Sequence, residues 1–600
     1  MKQKLTFKRV ALILIFFLIQ NPVFSASGAP VNSTIDPGVI NEINRDELKY
    51  QRLKDSVKRG GDSNDIKEAV VQKTYENGKG MVINPSIGLN KVTFAGNTIF
   101  KEKELEKYFS HLLGKDIYLS DIFAAIDEIN KMYYTNGYYT SYAYIPAQRI
   151  ENNSIVINIV EGKIGEINIE GNTRSKDSYI KNCFLCANGI EEGKVFNSND
   201  IRKTMDTINS KSYIQGRISV DEGKTPNTSD IKLELAERYP LGFNVTWDNG
   251  GNRLVGRQRS IMLLSQDNLF GLGHSIYGGS VLSKGTTGAL AGYKMPIGKH
   301  GTELQFDYSF ARVNLLDEYA ANDIKGKAQT FSTRIVQPLY KTANTDFKTD
   351  LGIDFVGANS MEYATNTQLS NYKLTVLRHG LNLLKYDNSG LFLSRFESSF
   401  GLPILGATES TGSYFNNDTT NAQSVFFKIK LDLTRLQQLP KDCYGIFRIS
   451  SQYTPNNLFP AEQMYFGGVG SIRGFEPGSV LGDIGINGTL EVRTPVPYLR
   501  LLLPKKLEKY DKKVRLGFFY DWGIFRQQNS GVAMQTSSNL LQSVGSGIHF
   551  NVTDSVIASF EVGIPVSGSL YREQSARFHF SIRADLWDLF TKKPKIQQQL

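Results

Sequence analysis

From Leu241 onward, apolar and polar residues alternate in run after run, and this pattern constrains the fold more than any other feature. In Glu303–Phe310, Leu304, Phe306, Tyr308 and Phe310 face one way and Glu303, Gln305, Asp307 and Ser309 the other. In Val425–Thr434, Val425, Phe427, Ile429, Leu431 and Leu433 oppose Phe426, Lys428, Lys430, Asp432 and Thr434. In Arg577–Leu586, Phe578, Phe580, Ile582, Ala584 and Leu586 oppose Arg577, His579, Ser581, Arg583 and Asp585. A period of two marks strands with unlike faces. Gly, Asn, Asp and Ser separate the runs, and no strong helical period interrupts them. About sixteen segments are expected, centred near residues 245, 261, 278, 291, 307, 333, 351, 378, 395, 430, 448, 487, 517, 545, 559 and 581.

A soluble sandwich also alternates, but it buries its apolar faces in one narrow core, and these runs are long for that. Strands of about 9–11 residues match a tilted crossing of a membrane. The opposite faces carry charges of both signs, as a wet lumen tolerates. An even number of strands lets both ends of a closed barrel meet as antiparallel neighbours. Composition agrees: 29 Tyr, 35 Phe and 54 Gly with a mean hydropathy of -0.28 suit strands with one apolar face, not a bundle of membrane helices.

The first residues explain how such a chain reaches a membrane. Lys2, Lys4, Lys8 and Arg9 form a positive start, Ala11–Ile19 an apolar core, and Ser25, Ala26 and Ser27 a small-residue site, with Val23 at the −3 position. This predicts a signal peptide over residues 1–25. The apolar core is too short to span a bilayer, and no later stretch approaches about 20 apolar residues, so any span is built from strands. Four of the formal +10 charges lie in this leader. The remaining excess is spread along the chain, whereas nucleic-acid binding wants basic residues gathered on one face, so no nucleic-acid partner is expected.

Enzyme and metal signatures are missing. Cys183 and Cys186 form a CxxC, with Cys443 apart from them. Zinc would need two more ligands nearby, and a redox role would need a thioredoxin-like surround; a short local disulfide or two unpaired thiols remain. The six histidines (His111, His274, His300, His379, His549 and His579) show no metal-ligand spacing. The nearest approach to a phosphate-binding loop, Gly292 to Gly298-Lys299, has one residue too many and lacks the following Ser/Thr. No Gly-x-Ser-x-Gly elbow precedes the barrel. No catalytic residue, metal or cofactor is expected.

An internal repeat lies ahead of the barrel. Val92–Phe109 (VTFAGNTIFKEKELEKYF) and Ile167–Phe184 (INIEGNTRSKDSYIKNCF) each begin as a strand, turn at Gly-Asn-Thr and enter a charged amphipathic helix. The turn glycines, Gly96 and Gly171, are 75 residues apart. A second helix follows in each copy, carrying Ile129-Asn130 then Gly137, or Ile208-Asn209 then Gly216. Each copy closes on two strands, the last being Ser154–Val160 or Asp230–Ala236. The order strand, helix, helix, strand, strand predicts two small α+β domains, over 87–163 and 164–239, with the barrel over 240–600.

Residues 34–60 read as one polar helix: Asp36 can cap it, Pro37 suits its first position, and Gly60-Gly61 stops it. Ile40, Ile43, Tyr50, Leu53 and Val57 make only a thin stripe. Such a helix is either solvated and frayed, or a removable plug in a water-filled barrel, where a mostly polar surface is required. Residues 61–86 form a polar linker.

The sharpest local signal is Phe466–Val480, FGGVGSIRGFEPGSV, in the long connection between the eleventh and twelfth candidate strands. Ile472, Arg473, Gly474 and Phe475 sit at its middle. Two strands later, Val514–Gly523 alternates so that Val514, Leu516, Phe518, Tyr520 and Trp522 face lipid while Arg515, Gly517, Phe519 and Asp521 face the lumen. An inward-folded loop would bring Arg473 within reach of Asp521, and an Arg–carboxylate pair positions more than it stabilises when wet.

At these residues the chain resembles a known family. Ile472-Arg473-Gly474-Phe475 is similar to the (Val/Ile)-Arg-Gly-(Phe/Tyr) signature of the BamA-like superfamily, and Phe519-Tyr520-Asp521 to its partner (Phe/Gly)-x-Asp motif. The paired repeats look like POTRA domains. Over essentially all of the mature chain the organisation resembles the two-partner secretion transporters, the TpsB family typified by the filamentous haemagglutinin and haemolysin transporters. The resemblance implies a transmembrane β-barrel of about 16 antiparallel strands, two α+β POTRA domains in the periplasm, and a plug helix matched by 34–60. It implies an outer-membrane translocator that captures an unfolded exoprotein (haemolysin, adhesin or contact-dependent toxin) on its POTRA domains and passes it through the barrel, with Arg473 paired to Asp521. It further implies lipid and lipopolysaccharide around the barrel and the barrel assembly machinery as partners. An assembly factor of the same superfamily is the alternative, but such factors usually carry three or more POTRA domains and lack the leading helix. One departure stands out: Phe590 is followed by ten further residues, where family members commonly end on a terminal aromatic.

Overall fold

A computed structural model describes residues 86–586, apart from 210, 212, 299–300, 343, 409–421, 497–512, 529–539, 554 and 568–574. The expected leader, the helix at 34–60, all but the last residue of the linker, and the segment after 586 lie outside the described residues. The chain divides into two compact units that meet in sequence at Glu237 and Arg238.

The two repeats make up the first unit. In the first, β1 (Ser86–Leu89) pairs with β3 (Lys115–Tyr118), while β2 (Lys91–Ala95), β4 (Tyr142–Tyr144) and β5 (Ser154–Val160) form a sheet of order β2-β5-β4. In the second, β6 (Lys163–Glu170), β7 (Ile214–Glu222) and β8 (Thr228–Glu237) form a sheet of order β6-β8-β7. In both, the first strand runs parallel to the last and the middle strand antiparallel to it. Alternation along β5 buries Ile155, Ile157 and Ile159 against Ile122, Ile126 and Ile129 of the helix Leu119–Thr135. The helix Ser198–Asn209 meets β8 in the same way through Ile208.

The repeated residues have repeated jobs. Asn130 Oδ1 accepts the Ala143 N–H at 2.6 Å, and Asn209 Oδ1 accepts the Gly216 N–H at 2.8 Å, so each asparagine ties its helix to the next strand. Gly96 and Gly171 sit at φ +91° and +81°, and a Cβ on either would lie 2.3 Å from Ile159 O or 2.0 Å from Leu235 O. Only glycine fits a turn with both restrictions.

The first helix of each repeat is shorter and less regular than its charged pattern predicts. In the first repeat only Glu102–Glu106 is α-helical. In the second, one α-turn (Asp177–Ile180) widens to a π-turn (Lys181–Leu185) and tightens to a 3-10 turn (Cys186–Asn188). The apolar spacing explains this. Tyr179 with Phe184, and Ile180 with Leu185, are five apart and all buried, and a π-turn brings residues five apart onto one face.

The second unit is a closed barrel. Its strands are β9 (Leu241–Asp248), β10 (Arg259–Leu269), β11 (His274–Leu282), β12 (Thr286–Ile297), β13 (Thr302–Asn314), β14 (Ile324–Lys341), β15 (Thr345–Glu362), β16 (Thr367–Asp387), β17 (Gly390–Leu402), β18 (Phe427–Gln438) and β19 (Tyr444–Tyr453). A short pair follows, β20 (Met464–Phe466) with β21 (Val480–Gly482). Then come β22 (Ile484–Pro495), β23 (Val514–Arg526), β24 (Leu540–Asn551), β25 (Val556–Ser567) and β26 (Arg577–Asp585). Sixteen strands, β9–β19 and β22–β26, are antiparallel neighbours around the ring, and β26 closes on β9 from Ser581–Asp248 to Asp585–Asn244. Every expected segment centre falls inside one of them.

Outside and inside are inverted relative to a soluble protein. Phe518 is 55% exposed on the outer face of β23, whereas Asp521 on the inner face has no exposed surface. Leu264, Ile335, Leu351, Leu490 and Phe578 are likewise exposed, while Arg378, Lys428, Glu491 and Glu561 are buried inward. An apolar outer band around a charged interior is stable only in lipid. Among the described residues no helix is long and apolar enough to cross a membrane; the strands cross instead.

Candidate functional site: the loop inside the barrel

Residues 454–483, which join β19 to β22, fold into the lumen, and most of them are buried there. Asp483 closes the loop at its base: Oδ1 accepts the Leu458 N–H and the Gln463 side-chain amide, each at 3.0 Å. The short β20–β21 pair stiffens the arms. Gly467 and Gly468, at φ +102° and +84°, turn the chain toward its tip. There the Phe475 N–H donates to Ile472 O at 3.1 Å, making Arg473 and Gly474 the central residues of a tight turn.

The tip is seated by opposite chemistries. Ile472 and Phe475 are buried among Met464, Phe466, Phe525 and Leu541. Between them Arg473 faces a wall of acids. Its backbone N–H, Nε and Nη2 donate to Asp521 at 3.0, 2.9 and 2.8 Å. Nη1 reaches Glu491 at 2.8 Å and Glu561 at 3.3 Å. The guanidinium lies over the Phe519 ring, 3.2 Å from its centroid. The Nε2–H of His579 donates to Arg473 O at 2.8 Å. Strands β22, β23, β25 and β26 thus all grip one residue. A Cβ on Gly474 would lie 2.7 Å from Pro565 N and from Ser543 Cβ, so the loop backbone approaches the wall as closely as a peptide can. Gly563 is the matching gap in the wall, where an added Cβ would lie 2.6 Å from Arg473 C.

All six motif residues therefore converge: Ile472, Arg473, Gly474 and Phe475 at the turn, and Phe519 and Asp521 on β23. Reading the sequence passes over Glu491, Glu561, His579 and Gly563. They are the inward-facing positions of their strands, and the signal that could have found them is the alternation itself, since a charge on the wet face opposite an arginine loop is a partner candidate.

Glu491, His549 and Glu561 also place three potential metal ligands within 4.8 Å of one another. The cationic positions there are taken, however, with Arg473 on both carboxylates and Arg493 bonded to Glu491. The arrangement is an ion-pair network. Immediately after the tip, Glu476 pairs with Arg577 of β26 and accepts the Arg253 N–H at 3.2 Å. In the second POTRA-like repeat, Cys183 and Cys186 are free thiols, and burial pushes the Cys183 thiol above its ordinary value, the opposite of activation.

Known proteins share this architecture. Residues 87–162 match the model of the POTRA domain, ShlB-type, and residues 163–238 match the POTRA model described as surface antigen variable number repeat. The heme/hemopexin transporter protein HuxB of Haemophilus influenzae is 22% identical over 489 residues, covering 80% of this chain and 83% of that protein. The outer membrane transporter CdiB of Dickeya dadantii is 25% identical over 422 residues, covering 67% of this chain and 71% of that protein. The solved structure of CdiB from Escherichia coli superposes with a TM-score of 0.69 at 20% identity, over 92% of this chain and 99% of that one, and shows the same fold. Residues 227–550, more than half of the sequence and most of the barrel, match the family model of the haemolysin secretion/activation proteins ShlB/FhaC/HecB, and the chain belongs to that family.

Proposed function

We propose that this protein secretes an unfolded partner exoprotein across the outer membrane, capturing it on the periplasmic POTRA domains and passing it through the barrel. One observation carries the reading: a polar lumen is crossed by a loop whose tip is held by a single arginine among five wall residues. A lumen lined with charge offers an extended, hydrated chain no apolar place to stop. The loop is an obstruction seated by non-covalent contacts alone, and the buried ion pairs at its tip set the cost of lifting it. Capture has a physical basis in β7, the end strand of its sheet over nine residues. An extended peptide can pair with such an edge through main-chain hydrogen bonds, with little demand on sequence. Folding of the partner outside gives direction without nucleotide hydrolysis. Outer-membrane lipid and lipopolysaccharide surround the apolar band in this reading, the barrel assembly machinery inserts it, and the helix at 34–60 plugs the resting pore.

The relatives' printed names, a heme/hemopexin transporter and an outer membrane transporter, agree with a transport role. The experiment is secretion by cells that express this protein with its partner. Arg473→Ala, with the barrel still showing heat-modifiable gel mobility, is expected to abolish release of the partner. Undiminished release would remove the loop from the mechanism.

A further inference from the structure

The loop has a second attachment, on the far wall. Glu462 lies on its descending arm and is almost completely buried. Its Oε1 accepts Arg378 Nη2 at 2.6 Å, and its Oε2 accepts Arg378 Nη1 at 3.2 Å and Lys428 Nζ at 2.5 Å. Its backbone carbonyl accepts Lys428 Nζ at 3.0 Å and Gln452 Nε2 at 3.1 Å. This is a bidentate guanidinium–carboxylate pair with a third charged donor, the geometry that fixes orientation best. The wall aims the arginine in advance: Arg378 Nε is held by Asp354 at 2.8 Å, and Nη1 by Ser399 at 2.9 Å. Asp354 and Glu397 also pair with Arg378 but are shared with Arg334 and Arg395, so Glu462 supplies the carboxylate that serves Arg378 and Lys428 together. Beside this group Phe459 stacks on Tyr372 of β16, with ring centroids 4.6 Å apart, and Leu458 and Ala461 join Val356, Leu374 and Val376 in one apolar cluster.

Around the ring, β16 and β26 are eight places apart among sixteen strands. They are opposite walls. The loop that binds Arg378 on β16 also binds His579 and Arg577 on β26, so it spans the lumen as a strut.

We propose that Glu462, received by Arg378 and Lys428, is a second positioning residue of the loop, a foot on the wall opposite Arg473 that must also release before the lumen opens. This rests on the reading that the loop stands in the secretion path. The first foot is one turn among acids; the second is one acid among cations. The two ends therefore present opposite charges to their receiving groups and are not interchangeable.

Trypsin added to proteoliposomes holding the full chain reads the loop directly, because Arg473 is buried and the bond after it is cut only when the tip leaves the wall. Cleavage is scored against the exposed Lys284, in the hairpin between β11 and β12 on the same side of the barrel. Glu462→Gln is expected to speed cleavage at Arg473 roughly tenfold or more while leaving Lys284 cleavage and heat-modifiable mobility unchanged, the effect of losing charged hydrogen bonds at one foot. General loosening would raise both sites together and count against the proposal. Should Glu462→Gln fail to fold, Lys428→Met removes only one of the two cations and is expected to give a smaller acceleration. Parental cleavage at Arg473 in the folded variants overturns the second foot. Normal partner release by Arg473→Ala would instead take the loop out of the secretion path and leave the cleavage result standing.

Discussion

Arg473 meets Asp521 through three donors at once, its own backbone N–H at 3.0 Å, Nε at 2.9 Å and Nη2 at 2.8 Å, so the carboxylate reads the loop's main chain as well as its charge. The remaining guanidinium nitrogen is left for Glu491 and Glu561. A lysine has one point charge and no fork, so it cannot serve three carboxylates on three strands.

Arg473→Lys should therefore behave more like Arg473→Ala than like the parent. Removing one partner of a buried pair costs about 3–5 kcal/mol, because the other charges stay behind. Partner release should fall roughly a hundredfold or more in both variants, by the conversion of about 1.4 kcal/mol per tenfold. Near-parental release by Arg473→Lys would show that charge alone suffices.

Gly474 and Gly563 form one contact from two sides. An alanine at 474 puts its Cβ 2.7 Å from Pro565 N, and an alanine at 563 puts its Cβ 2.6 Å from Arg473 C. Both obstacles are backbone, which cannot swing aside. Each substitution should cost about 1–3 kcal/mol of loop seating. Since either one already lifts the loop, the double variant should cost clearly less than the sum of the two singles. Trypsin cleavage at Arg473 in the two single variants and the double measures this, and full additivity would mean that the two glycines act separately.

The barrel was legible because its period-two pattern answers to one physical demand, lipid outside and water inside, met at every strand from Phe243 to Ile582. The α+β order of the repeats was legible for a similar reason: Ile129-Asn130 and Ile208-Asn209 each carry one core contact and one strand tie. What local pattern does not reveal is which inward charges meet across the lumen. Glu462 and Arg378 are 84 residues apart, and nothing in the neighbourhood of either announces the other. The irregular helix at Lys181–Leu185 was also hidden, since its charged residues suit an ordinary α-helix and only the burial of Tyr179, Ile180, Phe184 and Leu185 together demands the wider turn.

A second repeated device escaped the sequence reading: Glu161 directly follows β5 and Glu237 ends β8, and each folds its carboxylate onto the Gly-Asn-Thr turn of its own domain. Glu161 accepts the Thr98 and Ile99 N–H groups at 2.9 and 3.0 Å and Tyr133 OH at 2.9 Å. Glu237 accepts the Arg174 and Ser175 N–H groups. Burial alone would raise the Glu161 pKa, but these donors outweigh it and hold the group below its ordinary 4.5. A carboxylate lowered by folding contributes stability that is fully present above its unfolded value and is lost as pH falls through the folded one. The resistance of the 63–237 unit to urea should therefore fall as pH drops below about 4.5. Glu161→Gln should cost about 1–3 kcal/mol at neutral pH and flatten part of that acid dependence. An unchanged acid profile in Glu161→Gln would assign it to other carboxylates.

The two faces of β23 make opposite predictions from positions three residues apart. Phe518 points outward and is 55% exposed, whereas Arg515, on the same strand, points inward and is buried, donating to Asp442 O at 2.6 Å. An arginine is thus already accepted on the wet face. Placed at 518 it would have to enter hydrocarbon, at about 2–4 kcal/mol near the bilayer midplane and less toward either interface. Phe518→Arg should lower the urea midpoint of the barrel in liposomes and reduce the fraction that shows heat-modifiable mobility. In detergent, where the outer face meets mobile, deformable chains, the penalty should shrink. The same loss of stability in both media would mean that the substitution damages packing between strands, and that Phe518 does not face lipid.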